Sequence, residues 1–217
     1  MKYLIFLIIF LLIPQVHAWG FNTHKNIIEY VYFNLPLEVQ HELNLTRLKE
    51  GSIMPDLVFQ DTTKHHYPYS LTEAKRWLNN DSDLSLNICI AAHYITDSFA
   101  APHNIFGENY KDHATFEKQV GNYYPISDCG NYNFKLEDLK VGTANSKDWY
   151  IWLKTKDVTI PQREIDQATK FLMSIVMKKL NATCIKQTKT YEVPYFTIPK
   201  IILISIVSLI GLYFLKK

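Results

Sequence analysis

Residues 84–103 read LSLNICIAAHYITDSFAAPH, and this stretch decides the fold. Asp81, Ser82 and Asp83 ahead of it can cap a helix, and Pro102 ends one, so the pattern predicts a helix over 84–100. Leu86, Ile90, His93, Asp97 and Ala100 fall on one stripe at three- and four-residue spacing, the face that should turn inward. His93 and Asp97 are one turn apart, so their side chains point to the same place. A buried carboxylate without a partner is expensive. Taken alone, the pair also fits an ordinary hydrogen bond in a core.

The flanking sequence continues in helices. Asn22 or Thr23 can cap a helix to about residue 34, with His24, Ile27, Ile28 and Val31 on one stripe. A second helix is expected over 36–50, with Gly51 as its stop. Ser70-x-x-Glu73 has the form of a capping box opening a short helix to about residue 80. Residues 109–120 form another amphipathic pattern. Residues 121–160, rich in Tyr, Asn and Asp, are expected to be mostly irregular. Pro161 fits the start of a last helix to about residue 180, with Ile165, Ala168, Leu172, Ile175 and Lys179 on one face. No run alternates strongly enough for a strand, so the class is all-α, a single multi-helix domain.

The two ends read differently from the middle. Residues 1–18, MKYLIFLIIFLLIPQVHA, have a basic start, an apolar run, a helix-breaking Pro14 and small or apolar residues at the −3 and −1 positions. This is the pattern of a secretory signal peptide, and it predicts Trp19 as the mature N-terminus. Residues 197–217 end in IILISIVSLIGLYFLKK, with no polar stripe. They are expected to be a C-terminal transmembrane anchor, short for a ~30 Å hydrocarbon core, with Lys216 and Lys217 on the cytoplasmic side. Residues 19–196 would then form an extracellular domain on a single-pass protein of the cell membrane.

Composition narrows the function. The 217 residues are 47% apolar and 20% charged, which excludes an intrinsically disordered chain. The seven glycines match neither GxGxxG nor GxxxxGK[ST], so glycine-rich phosphate loops are excluded. The whole chain carries +2, but residues 19–196 hold 19 Lys and Arg against 21 Asp and Glu, a net −2, which leaves no electrostatic footprint for nucleic acid. Cys89 lies in the apolar helical run and reads as a buried thiol. Cys129 and Cys184 lie in loop-like surroundings and could form a disulfide outside the cell. Asn44, Asn80 and Asn181 open glycosylation sequons, usable only where that machinery exists.

The remaining histidines turn the His93–Asp97 pair into a chemical signal. His103 follows Asp97 by six residues, giving H-x3-D-x5-H. His113 and Glu117 repeat the one-turn His/carboxylate pair. Asp56, His65, His66 and His24 lie upstream, and of the seven histidines after residue 18 only His41 has no place in the pattern. Imidazoles with carboxylates and no thiolates are ligands for zinc in a catalytic setting. There are more of them than one zinc needs.

These motifs resemble the zinc-dependent phospholipase C and S1–P1 nuclease family. The resemblance rests on Trp19-Gly20-x3-His24 directly after the cleavage site, Asp56, His66-Tyr67, His93-x3-Asp97-x5-His103 and His113-x3-Glu117, and it spans about half of the ectodomain. It implies an all-α fold and three zinc ions. One ion would take Asp56, His66, His93 and Asp97, with His65 as the alternative to His66. A second would take the Trp19 amine and carbonyl, His24 and Asp97, so that Asp97 bridges. The third would take His103, His113 and Glu117. The implied reaction is attack of metal-activated water on a phosphoric ester, with Asp56 orienting or deprotonating the nucleophile.

The metals do not select the ester. Glu117 in place of Asp, and the short gap between His103 and His113, look like the phospholipase branch, as does an anchor beside lipid. The expected substrate is a phospholipid headgroup. The alternatives are single-stranded nucleic acid or nucleotides, and a non-catalytic zinc-binding surface module. Leu57 follows Asp56 where choline-specific relatives carry an aromatic residue, which weakens a choline assignment. No obligatory protein partner is implied.

Overall fold

The structure is a computed structural model and describes residues 19–128 and 133–185. Among these residues there are helices and no strand. In chain order they are α1 (Phe21–Phe33), α2 (Leu37–Glu42), α3 (Leu45–Gly51), α4 (Met54–Leu57), α5 (Tyr69–Leu78) and α6 (Leu84–Asp97). A 3-10 turn (Ala101–Asn104) leads to α7 (Tyr110–Lys118). A longer 3-10 segment (Leu136–Asn145) then precedes α8 (Ser146–Thr155) and α9 (Thr159–Lys179).

The quoted stretch is the centre of the molecule. Asp83 caps α6, its side chain accepting from the Leu86 N–H at 3.0 Å. Helices α1, α3, α4, α5 and α9 all pack on α6. Every residue from Asn87 to Asp97 is therefore buried, around the whole circumference and not only along the expected stripe. Gly51 packs against α6 so closely that a Cβ there would sit 2.5 Å from the Leu86 carbonyl oxygen. Its role is close approach rather than a left-handed stop.

Several expectations are corrected. Residues 36–50 are two helices, because Asn44 leaves helical geometry and accepts from the Arg47 N–H at 3.1 Å, restarting the chain as α3. The Ser70–Glu73 capping box does not form. Ser70 lies inside α5 and accepts from the Ser98 hydroxyl at 2.6 Å, while Glu73 pairs with Lys64 and Arg76. Residues 121–160 are not mostly irregular. They contain the 3-10 segment and α8, which bury Leu139, Trp149 and Trp152.

Trp149 and Trp152 stack at 5.2 Å and meet Phe116 of α7 edge-on, and the Trp19 ring also lies against Phe116, tilted, at 5.7 Å. This aromatic cluster holds α7 in place through its back face. Cys89 is a buried free thiol, and Cys184 is disulfide-bonded. Cys129 lies outside the described residues. Among the described residues no helix is long and apolar enough to cross a membrane. The leader expected over 1–18 and the anchor expected over 197–217 lie outside them.

Candidate metal centre

The polar side chains buried along α6 converge with others from five elements. Asp97 is fully buried, and its two oxygens face different ways. Oδ1 approaches His24 Nε2 of α1 at 3.3 Å, while Oδ2 meets His65 Nδ1 at 2.6 Å and His93 Nε2 at 3.1 Å. Asp56 of α4 lies opposite, with Oδ1 3.3 Å from His93 Nε2 and 3.6 Å from His65 Nε2. Further out, His113 and Glu117 of α7 meet at 2.8 Å, and His103 of the 3-10 turn reaches Glu117 at 3.5 Å. The His65 and His103 rings stack at 5.5 Å, which joins the two parts into one centre.

Three sets of donors lie close enough to share a cation. They are His24, Asp56 and His93; His65, His93 and Asp97; and His103, His113 and Glu117. Within each set, one donor atom per residue lies within 4.8 Å of the others. Most rings are held by their far nitrogen, which leaves the other aimed inward. His93 Nδ1 donates to the Ser52 carbonyl at 2.8 Å, and His65 Nε2 to the Asp61 carbonyl. His113 Nδ1 meets Glu108 Oε1 at 2.9 Å, and His24 Nδ1 meets the Thr96 hydroxyl at 3.3 Å.

Charge is concentrated here. Burial opposes ionisation of Asp97, but His93 and His24 outweigh it and hold the carboxyl well below its ordinary range. Asp56 is likewise lowered, chiefly by His93 against its own burial. His93, despite burial, is pushed well up by Asp97 and Asp56, and Asp97 raises His65 in the same way. Burial and the nearby His93 hold His24 down. Glu117 and Glu108 overcome burial at His113 and push it up to about 10, whereas burial keeps His103 low.

The residues fit a bound cation. His24 Nε2, Asp56 Oδ2, Asp97 Oδ1 and His103 Nε2 are buried and make no hydrogen bond. Leaving four such atoms unsatisfied would cost about 1–3 kcal/mol each, and cations held at the three sets would satisfy them. Imidazole and carboxylate without thiolate suit zinc in an open, reactive site.

Of the nine residues expected as ligands, the structure brings together His24, Asp56, His93, Asp97, His103, His113 and Glu117. His66 stands apart from all three sets. Its ring packs edge-on against Tyr69 at 5.3 Å, and the adjacent His65 takes the inward place. The two share a loop with no periodicity to orient them, and the Asp61 carbonyl decides which one turns in. Trp19 is fully buried, and its indole N–H reaches the Thr96 carbonyl at 3.4 Å, next to Asp97 in the chain. Glu108 was not anticipated. Its only sequence signal is an acid five residues ahead of His113.

An all-helical frame with adjoining sets of buried imidazole and carboxylate donors defines a metal-binding protein suited to zinc. The model of the zinc-dependent phospholipase C family matches residues 23–182, most of the chain, and the protein belongs to that family. No curated protein and no solved structure matches it. Trp19 lies ahead of the matched region.

Proposed function

We propose that the protein is a phospholipase C that hydrolyses the phosphodiester of a phospholipid headgroup with three zinc ions, releasing diacylglycerol and a phosphorylated headgroup. The observation that carries this reading is Asp97, whose two oxygens address separate imidazoles. One ion would be held by Asp56, His65, His93 and Asp97. A second would be held by His24, Asp97 and, once the leader is removed, the amine and carbonyl of Trp19. The third would be held by His103, His113 and Glu117. Zinc at such sites supplies Lewis acidity toward phosphate oxygens and lowers the pKa of a coordinated water to about 7.

The protein's own groups do the rest. Asp56 has Oδ1 beside His93 Nε2 and Oδ2 free of hydrogen bonds, so with one oxygen on an ion the other would orient the attacking water and accept its proton. Ser52, Asp61 and Glu108 hold their rings so that the inward nitrogens stay as acceptors. The net −2 of residues 19–196 favours a lipid over a polyanionic nucleic acid. The disulfide at Cys184 supports the extracellular placement proposed for the domain, and the apolar sequence of residues 197–217 suits its proposed anchor in the cell membrane.

The test is hydrolysis by the processed, zinc-loaded protein of phospholipid vesicles and of single-stranded DNA. Diacylglycerol release without DNA cleavage is expected. Cleavage of DNA alone, or bound zinc with no hydrolysis of either, would overturn the assignment.

A further inference from the structure

Helix α6 ends at Asp97, and residues 98–102 are the chain between that carboxylate and His103 of the outer donor set. All five are buried, and residues 98–100 belong to no helix. Buried backbone outside a helix must find its hydrogen-bond partners elsewhere. The sequence here, SFAAP, offers one polar side chain, and the Ser98 hydroxyl is engaged with Ser70 and the Tyr94 carbonyl.

The partners come from the following turn and from distant sequence. The Asn104 amide donates to the Ser98 and Ala100 carbonyls at 3.0 and 3.1 Å. Asn145, at the end of the longer 3-10 segment, donates its side-chain N–H to the Phe99 carbonyl at 2.7 Å. The Glu164 carboxyl of α9 accepts from the Ala101 N–H at 2.9 Å. Gly142 lets the 3-10 segment come close, since a Cβ there would sit 2.5 Å from the Ser98 carbonyl oxygen. Asn145 and Glu164 are both buried, neither belongs to a donor set, and burying an amide and a carboxyl is expensive. Each is bonded to this one linking segment.

We propose that Asn145 and Glu164 are positioning residues, a strut that fixes the backbone between Asp97 and His103 and so sets where His103 meets His113 and Glu117. This rests on the three-zinc reading and goes beyond it. Four rings of the centre are pinned through their far nitrogen, by Ser52, Asp61, Glu108 and Thr96. His103 is not among them, so the backbone that carries it has to fix its place. Glu108 holds the His113 ring, the strut holds His103, and the outer set closes on an ion when both are in register.

The experiment titrates zinc into the full processed chain and its variants, first stripped of metal, in competition with a chromophoric chelator. Asn145→Leu and Glu164→Leu each remove one bond to the linking segment and keep an apolar side chain of similar length. Each should weaken one zinc equivalent by roughly tenfold and leave the other two within about threefold of the parent. Weakening of all three alike, as general loss of support would give, overturns the strut, and so does weakening of none. Asn145→Ser is the milder change for the case in which the leucine variants do not fold. Its failure to fold with zinc present would also overturn the strut, as mere support of the core.

Glu164→Gln separates the hydrogen bond from the charge. Burial pushes this carboxyl well above its ordinary range, so an amide oxygen can accept from Ala101 in its place. The variant should bind the weakened equivalent within about threefold of the parent. Binding as weak as in Glu164→Leu overturns the strut. Zinc is read here without turnover. A parent chain that holds three ions and hydrolyses no phospholipid would sink the phospholipase reading and leave the strut standing, whereas a parent that holds fewer than three overturns both.

Discussion

The inner and outer parts of the centre are built in different ways. The inner part, around Asp97, draws on α1, α4, the loop before α5, and α6, and all its members except Asp56 are buried. Its rings are anchored mainly by backbone carbonyls, those of Ser52 and Asp61. The outer part sits on the 3-10 turn and α7, His103 is partly open, and its key ring is anchored by the Glu108 side chain from a loop. Backbone anchors on a packed helix leave little freedom. A side-chain anchor near solvent can let go. The inner sites should therefore bind zinc tightly and cooperatively, and the outer site more weakly and exchangeably.

The sharpest way to break this contrast is Asp97→Asn. If that carboxylate bridges the two inner sites as proposed, two zinc ions should be lost together. Activity should fall at least about a thousandfold, given several kcal/mol of charge stabilisation at ~1.36 kcal/mol per factor of ten. Elemental analysis that still finds the parent's metal content would remove the bridging role.

Replacing each histidine of the loop before α5 by alanine sharpens the inner assignment. His65→Ala should cost roughly a hundredfold in kcat/KM, and His66→Ala less than about threefold. Kinetics showing the reverse order would return His66 to the ligand set.

Glu108→Gln probes the outer anchor alone. Zinc titration should show one site weakened by about 10- to 100-fold and the others unmoved. Weakening of every site would merge the two parts into one.

The smallest effect concerns Glu164, buried in α9, which accepts from the Ala101 N–H at 2.9 Å and so holds the turn bearing His103. Burial pushes its carboxyl well above the ordinary range. The neutral form therefore belongs to the folded state. Its stabilising share is present below the ordinary carboxylate pKa and is lost as pH rises through the raised value. Glu164→Gln should flatten that loss, leaving the variant's Tm a few degrees above the parent's at alkaline pH. A parallel pH profile for the two proteins would show that Glu164 does not titrate on unfolding.

Helix α6 and its donors were legible because their signal is local. Asp83 caps where an acid should, and His93 and Asp97 lie one turn apart on a strongly apolar helix. The family's match over residues 23–182 agrees with the resemblance drawn from those motifs. What could not be read depends on distant partners. Gly142, in the 3-10 segment of the supposedly irregular stretch, lies where a Cβ would sit 2.5 Å from the Ser98 carbonyl oxygen, a contact across more than forty residues. Helix α8 buries only Trp149 and Trp152 and leaves Tyr150 and Ile151 exposed, so its periodicity is faint. The break at Asn44 is hidden because asparagine is tolerated inside helices and reveals itself as a cap only when the chain turns. His65 and His66 differ only in which one reaches the Asp61 carbonyl, a choice no spacing encodes.

Anomalous diffraction at the zinc edge, from crystals of the processed protein, tests the central claim most directly. Three peaks per chain are expected: one between His24 and Asp97, one among Asp56, His65, His93 and Asp97, and one among His103, His113 and Glu117. A single peak, or zinc held away from Asp97, would contradict the account.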